Sequence, residues 1–228
     1  MSFAAIRTWV FDLDNTLYPT GSTIYDLIGA RMTAYVSRVA GLAPAEALEL
    51  QERYFHQYGA TLAGLLKHHD VDGRDFLDDV HDVDLSCVDP DPELASLIAA
   101  LPGRRIVFTN GARTYAERIT ARMGLSGLFE DLFDVEAAGF TPKPQRAAFD
   151  ALIARHRFDP AQAVLFEDSE KNLATAHAMG FRTVLIDAER RLGETFPEHI
   201  HHATDCLKAF LRGDVLPALG IDPPASAA

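Results

Sequence analysis

Thr8-Trp9-Val10-Phe11-Asp12-Leu13-Asp14-Asn15-Thr16 places two aspartates directly after a short run that is apolar on both faces. A run of that length and character suits a strand of a buried parallel sheet. Similar runs recur beside turn residues. Arg105-Ile106-Val107-Phe108 follows Pro102-Gly103, Ala163-Val164-Leu165-Phe166 follows Pro160, and Arg182-Thr183-Val184-Leu185-Ile186 follows Gly180-Phe181. Phe133-Asp134-Val135 is a weaker candidate. Between the later runs the spacing predicts helices over 112–123, 144–156 and 170–179. Gly124 and Gly180 serve as C-caps, and Pro144 suits a first helical turn. Strand alternating with helix predicts an α/β fold with right-handed crossovers.

One stretch breaks the rhythm. From 20 to 92 no strand is expected; apolar residues recur at helical spacing over 22–40 and 44–68, and 75–83 reads as a shorter acidic helix. An all-helical insert cannot join the sheet, so it is expected to cap one end of it. The predicted organisation is a doubly wound, mostly parallel α/β core over 1–19 and 93–222. A helical cap is inserted over 20–92, and the tail over 223–228 is frayed.

Composition narrows the partners. Apolar residues at 48% and charged residues at 24% of 228 positions are ordinary for a globular chain, which excludes disorder and coiled coil as the main state. The net charge of −12 repels duplex nucleic acid and anionic lipid. No uncharged run approaches the roughly 20 apolar residues that span a bilayer. The first seven residues lack the charged start and apolar stretch of a signal peptide. Cys87 and Cys206 stand far apart without a CxxC. Together these predict a reduced cytoplasm, a small-molecule substrate, and neither a nucleic-acid polymer nor a membrane as partner. A homodimer is compatible with the sequence and not fixed by it.

A DxD pair alone is weak, because Asp70/Asp72, Asp82/Asp84 and Asp89/Asp91 share the spacing and read as solvated acids. Asp12 and Asp14 differ in standing at the end of a buried strand, where open α/β sheets bind ligands. A period of two would aim both side chains to one side, and two carboxylates held close repel unless a cation neutralises them. They read either as turn-capping acids or as a nucleophile and an acid/base group around a metal. Thr109-Asn110-Gly111 follows the second run and reads either as a helix cap or as an anion-binding turn. Lys143, between Pro142 and Pro144, is a cation at a helix start, which the helix dipole disfavours unless it meets an anion; the alternative is a solvated turn. Glu167-Asp168 ends another buried run. With Asp12 and Asp14 it offers four carboxylates, a set that suits a hard cation such as Mg²⁺. His199-Ile200-His201-His202 matches no zinc spacing and reads as a solvated, helix-capping cluster.

These parts, in the order Asp-x-Asp-x-Thr, Thr, Lys, acidic pair, resemble the phosphatase branch of the haloacid dehalogenase superfamily over nearly the whole chain. The resemblance implies that Asp12 attacks phosphorus and that Asp14 first protonates the leaving alkoxide and then activates water, with Thr16 in support. Thr109, Asn110 and Lys143 would hold the phosphate. Asp168, the Asp12 carboxylate and the Asp14 main-chain carbonyl would bind Mg²⁺, with Glu167 as a further or water-mediated ligand.

Asp14-Asn15-Thr16-Leu17-Tyr18-Pro19, Tyr58-Gly59 with Thr61-Leu62-Ala63-Gly64-Leu65, Phe108-Thr109-Asn110, and Glu167-Asp168-Ser169 with Asn172-Leu173 look like the pyrimidine 5'-nucleotidase family. That narrower resemblance implies a nucleoside monophosphate or similar small phosphomonoester as substrate. It places Tyr18, Tyr58, Thr61 and Gly64 at the substrate. The rival readings are a sugar phosphomutase, a haloacid dehalogenase proper, and a receiver-type phosphoacceptor switch.

Overall fold

β1 (Thr8–Phe11) is buried along its whole length and lies inside a six-stranded sheet. The computed structural model describes residues 3–18, 23–188 and 195–225. The other strands are β2 (Arg104–Phe108), β3 (Asp131–Phe133), β4 (Ala163–Glu167), β5 (Arg182–Ile186) and β6 (His202–Thr204). They are ordered β3-β2-β1-β4-β5-β6, and every pairing is parallel. The side chains alternate as the pleat requires. Trp9, Phe11, Val107, Val164, Phe166 and Val184 belong to one buried cluster, and Val10, Ile106, Phe108, Leu165 and Leu185 to the other.

Four helices follow β1: α1 (Thr23–Ala40), α2 (Pro44–Tyr58), α3 (Thr61–His68) and α4 (Gly73–His81). The sequence predicts one helix over 44–68; the structure breaks it in two. Gly59 takes φ +85 and caps α2 in the left-handed region, a conformation cheap only for glycine. The four helices pack on one another, and Ile24, Tyr35, Leu65 and Phe76 share one buried cluster with Phe11 and Val107 of the sheet. This helical layer meets the core closely. Gln145 Nε2 donates to Tyr58 O at 3.1 Å, Arg74 pairs with Glu136, and a Cβ on Gly73 would stand 2.6 Å from Phe140 Cε1.

Helices cover both faces of the sheet, the doubly wound arrangement. α5 (Pro92–Ala99), α6 (Arg113–Arg122) and a terminal stretch cover the first cluster. That stretch runs from α9 (Leu207–Phe210) through a π turn (Leu211–Val215) into α10 (Leu216–Ala218). α7 (Arg146–His156) and α8 (Glu170–Ala178) cover the second.

Several expectations shift. β3 begins two residues before the predicted run, and α7 begins at Arg146, which leaves Lys143 in the preceding turn rather than at the helix start. His202 opens a strand the sequence did not announce. His201 Nδ1 lies 3.2 Å from Thr183 N and 2.7 Å from Thr183 Oγ1, so the histidine cluster is part of the sheet edge rather than a helix cap. The tail is tied as far as Pro224, whose carbonyl accepts from Arg212 at 2.8 Å; residues 226–228 lie outside the described residues. Residues 19–22, where the expected insert begins, also lie outside them. The decoy acids cap and turn: Asp72 accepts from Arg74 N, Asp84 from Ser86 N and Asp91 from Leu94 N. Among the described residues no helix is long and apolar enough to cross a membrane.

Candidate active site

β2, β1 and β4 are neighbours, and each ends in candidate residues: Thr109, Asp12 and Glu167. The strand order reverses between β1 and β4, the point where open α/β sheets leave a crevice. The ladder carries on just past β1, Asp12 N donating to Phe166 O at 2.9 Å. Then the chain leaves the extended form. Leu17 N donates to Leu13 O at 3.0 Å, and Asn15 takes φ +62, which asparagine tolerates better than most residues. The period of two therefore stops at Asp12, and the Asp14 carboxylate does not join the cluster formed by its neighbour.

Lys143 is buried to 2% exposure, and each of its three N–H groups has an acceptor. Nζ donates to Asp12 Oδ1 at 2.5 Å, to Phe108 O at 2.8 Å and to Glu167 Oε2 at 2.8 Å. Burial alone would lower its pKa, but Asp12 and Glu167 outweigh it and hold the ammonium charged. Lys143 is expected at the phosphate; in this state its donors position Asp12 and Glu167. Asn110, expected there too, lines the same cleft as Lys143. Its side chain clamps the lysine main chain, accepting from Lys143 N at 2.8 Å and donating to Lys143 O at 3.1 Å. Thr109 Oγ1 accepts from Gly111 N at 2.9 Å, which leaves its own O–H to donate.

Asp12, Glu167 and Asp168 each place a carboxylate oxygen within 4.8 Å of the others. Burial and then Glu167 push Asp12 upward, against the pull of Lys143. Burial and then Glu167 push Asp168 up to about 7. Asn15 Nδ2 holds Asp168 Oδ2 at 3.1 Å, and Ser169 N holds Glu167 Oε1 at 3.2 Å. Three carboxylates face one ammonium, an excess of two negative charges that one divalent cation would cancel. An all-oxygen donor set fits a hard cation such as Mg²⁺. The carboxylates number three here, not the four expected.

Asp14 is held elsewhere. Its Oδ1 accepts from Tyr18 Oη and, at 3.0 Å, from Tyr115 Oη, and the two phenols lie 2.7 Å apart. Burial and the Asp14 charge raise both phenols above their usual range, so both stay protonated. Tyr18 therefore serves Asp14 and does not face substrate. Tyr115 went unread in the sequence; its signal is its place in the first turn of the helix after Thr109-Asn110-Gly111. Thr16 is buried, and its Oγ1 has no hydrogen-bond partner among the described residues.

Of the remaining candidates, Tyr58 lines the cleft and bonds His68 Nε2 through its hydroxyl at 2.6 Å. Thr61 lines a neighbouring chamber, its hydroxyl directed to Gln51 O at 3.4 Å. Gly64 faces Tyr54, whose Cγ would stand 2.2 Å from a Cβ there, so it is a packing position and not a substrate contact.

Two of the cavities around the site share Asp14 in their lining. A cleft of about 610 Å³ holds Asp12, Asp14, Lys143, Glu167 and Asp168. A chamber of about 560 Å³ begins at Asp14 and Asn110 and runs between the sheet and α1 to α4.

A family model described as haloacid dehalogenase-like hydrolase matches residues 6–180. The chain is 26% identical over 199 residues to Phosphate metabolism protein 8 of Saccharomyces cerevisiae, which takes in 79% of this chain. It spans only 61% of that relative's length. Among solved structures it is similar to CbbY from Rhodobacter sphaeroides in complex with phosphate. There the TM-score is 0.63 and the identity 19%, over 95% of this chain and 100% of that one. It is also similar to L-2-haloacid dehalogenase from Xanthobacter autotrophicus. The TM-score is 0.58 and the identity 17%, over 91% of this chain and 97% of that one. At these identities the likeness shows the fold alone.

Proposed function

The chain belongs to the haloacid dehalogenase-like hydrolases, and we propose that within them it is a Mg²⁺-dependent phosphomonoester hydrolase acting on pyrimidine nucleoside 5'-monophosphates or a similar small ester. The observation that carries this reading is the division of the two aspartates. Asp12 sits at the strand end with one oxygen tied to Lys143 and Glu167 and Asp168 beside it, while Asp14 is tethered apart by two phenols. A phosphate ester needs both roles. The Asp12 carboxylate forms a bond to phosphorus as the bond to the leaving oxygen breaks, giving an aspartyl-phosphate. Asp14 gives its proton to the departing alkoxide, then takes one from the water that attacks phosphorus and restores Asp12. Mg²⁺ held by Asp12, Asp168 and the Asp14 carbonyl, with Glu167 near, would neutralise the charge of the phosphoryl oxygens. Thr109, whose O–H is not spent on its contact with Gly111, would donate to the same oxygens.

The nucleotide assignment rests on the resemblance of the stretches around Asp14, Tyr58, Phe108 and Glu167. The same reading makes 20–92 a cap over a core of 1–19 and 93–222, in a cytoplasmic enzyme with no nucleic-acid polymer or membrane as partner.

The test is phosphate release from uridine and cytidine 5'-monophosphates and from p-nitrophenyl phosphate, with Mg²⁺ and with EDTA. Release with metal and none in chelator is expected. Full activity in EDTA contradicts the metal; chloride release from 2-chloropropionate without phosphatase activity would make the chain a dehalogenase.

A further inference from the structure

The chamber beside Asp14 is the space left for the leaving group. If phosphorus faces Asp12 and Asp14 donates the proton, the departing oxygen and its substituent lie on the Asp14 side. The chamber walls there include Ile28, Met32, Phe76, Leu77 and Phe140. Tyr25 and Phe55, both more than half exposed, stand where the cleft and the chamber share lining. Much of the polar lining is already engaged. Gln51 Oε1 accepts from Thr33 Oγ1 at 2.7 Å, Thr61 Oγ1 is directed to Gln51 O, and the Asn110 amide clamps Lys143. Glu52 and His56 are exposed.

His81 differs from these. It is buried at the end of α4, its ring 4.7 Å from that of Tyr115, with Nδ1 on Leu77 O at 2.9 Å. A carbonyl only accepts, so Nδ1 carries the hydrogen. Burial lowers the imidazole pKa, so the ring is neutral and Nε2 is a lone pair. Nε2 has no hydrogen-bond partner among the described residues. It lies beside Gly111, where a Cβ would come within 3.5 Å of it.

We propose that the chamber takes the leaving group as an aromatic or heteroaromatic ring, and that His81 Nε2 accepts a hydrogen bond from an O–H or N–H on that ring. This rests on the phosphomonoesterase reading and narrows its substrate class. A polyol would bury hydroxyls against Met32, Phe76 and Phe140 without partners. A ring without a donor would leave Nε2 desolvated and unpaired.

The test uses esters of primary alcohols, so that leaving-group chemistry stays matched: benzyl and 3-hydroxybenzyl phosphate, N3-methyluridine and uridine 5'-monophosphate, and glycerol 1-phosphate. In the wild-type protein every ring ester should exceed glycerol phosphate in kcat/KM. In at least one matched pair the donor-bearing member should exceed its partner by about tenfold, the worth of a hydrogen bond at the upper end of the neutral range. In His81→Phe that ratio should collapse to near one while ring esters still exceed glycerol phosphate. His81→Leu repeats the measurement should the larger ring disturb folding. No preference for rings overturns the chamber assignment. A donor preference that survives both variants, or is absent from both pairs in the wild type, overturns the role of His81. No phosphate release from any ester overturns the phosphomonoesterase reading, and this inference falls with it.

Discussion

Lys143 Nζ stands 2.5 Å from Asp12 Oδ1, and its two other N–H groups are spent on Phe108 O and Glu167 Oε2. The Asp12 carboxylate is thus held by a saturated, buried cation, with one of its oxygens tied. Lys143 comes from a loop, and it is aimed because Asn110 grips its main chain from the end of β2.

Removing that cation leaves two buried carboxylates and a half-buried third uncompensated. Lys143→Met should cost about 3–5 kcal/mol in urea denaturation of the metal-free protein and lower kcat by about 10³ or more. Lys143→Arg should not rescue it, because a planar fork does not fit a site built around three acceptors of one ammonium. Near-wild-type turnover in Lys143→Met would remove the lysine from the mechanism.

Tyr18, Tyr115 and Asp14 form a triangle of oxygens supplied with two phenolic protons. With both phenols donating to Oδ1, Oδ2 is the oxygen left for the acid/base role proposed for Asp14. Tyr115→Phe should therefore lower kcat for alkyl phosphates by about tenfold, part of what a positioned acid contributes. Turnover of p-nitrophenyl phosphate, whose leaving group needs no acid, should fall less than about threefold. Equal losses on both substrates would make the phenols structural.

The sheet and the strand-end acids were legible in the sequence because their signals are local. A buried strand shows as an apolar run, and an acid at its end is conspicuous; Lys143 stood out as a lysine between two prolines, although the helix it was expected to start begins three residues further on, at Arg146. What stayed hidden depends on residues far apart in the chain. Tyr115 reaches Asp14 across 101 positions, and His81 is delivered by a helix of the insert. The break at Gly59 was masked by helical spacing that continues on both sides of it. β6 is three residues long, too short to show an alternation. The aspartate pair misled because a period of two was carried two residues past Asp12, where the extended chain ends.

Proton and metal should compete at Asp168. In the metal-free fold its carboxyl is pushed up to about 7, from 3.8 in the unfolded chain. The folded state therefore keeps a proton that the unfolded state has lost. The stability contributed by this group is complete below 3.8 and is lost as pH rises through about 7. Mg²⁺ must displace that proton, so its affinity should tighten by up to about tenfold per pH unit approaching neutrality and then level off. Calorimetric titrations in two buffers of different ionisation enthalpy should detect about one proton released at pH 6 and little at pH 8. Proton release that does not change between those pH values would contradict the assignment.

Gly64→Ala tests the packing role given to that position. A Cβ 2.2 Å from Tyr54 Cγ forces α2 and α3 apart, and overpacking of this kind costs about 1–3 kcal/mol. The melting temperature should fall while the order of preference among phosphate esters is kept. A reordered preference at unchanged stability would return Gly64 to the substrate.

The central claim is that Asp12 carries the phosphoryl group during turnover, and it is tested by acid-quenching the Asp14→Asn variant during reaction with p-nitrophenyl phosphate and Mg²⁺ and mapping the peptides by mass spectrometry. The account predicts one phosphoryl group on the peptide containing Asp12, localised to that residue, and none in Asp12→Asn. Phosphate on any other residue, or an unmodified Asp12 peptide while product is still being released, would contradict it.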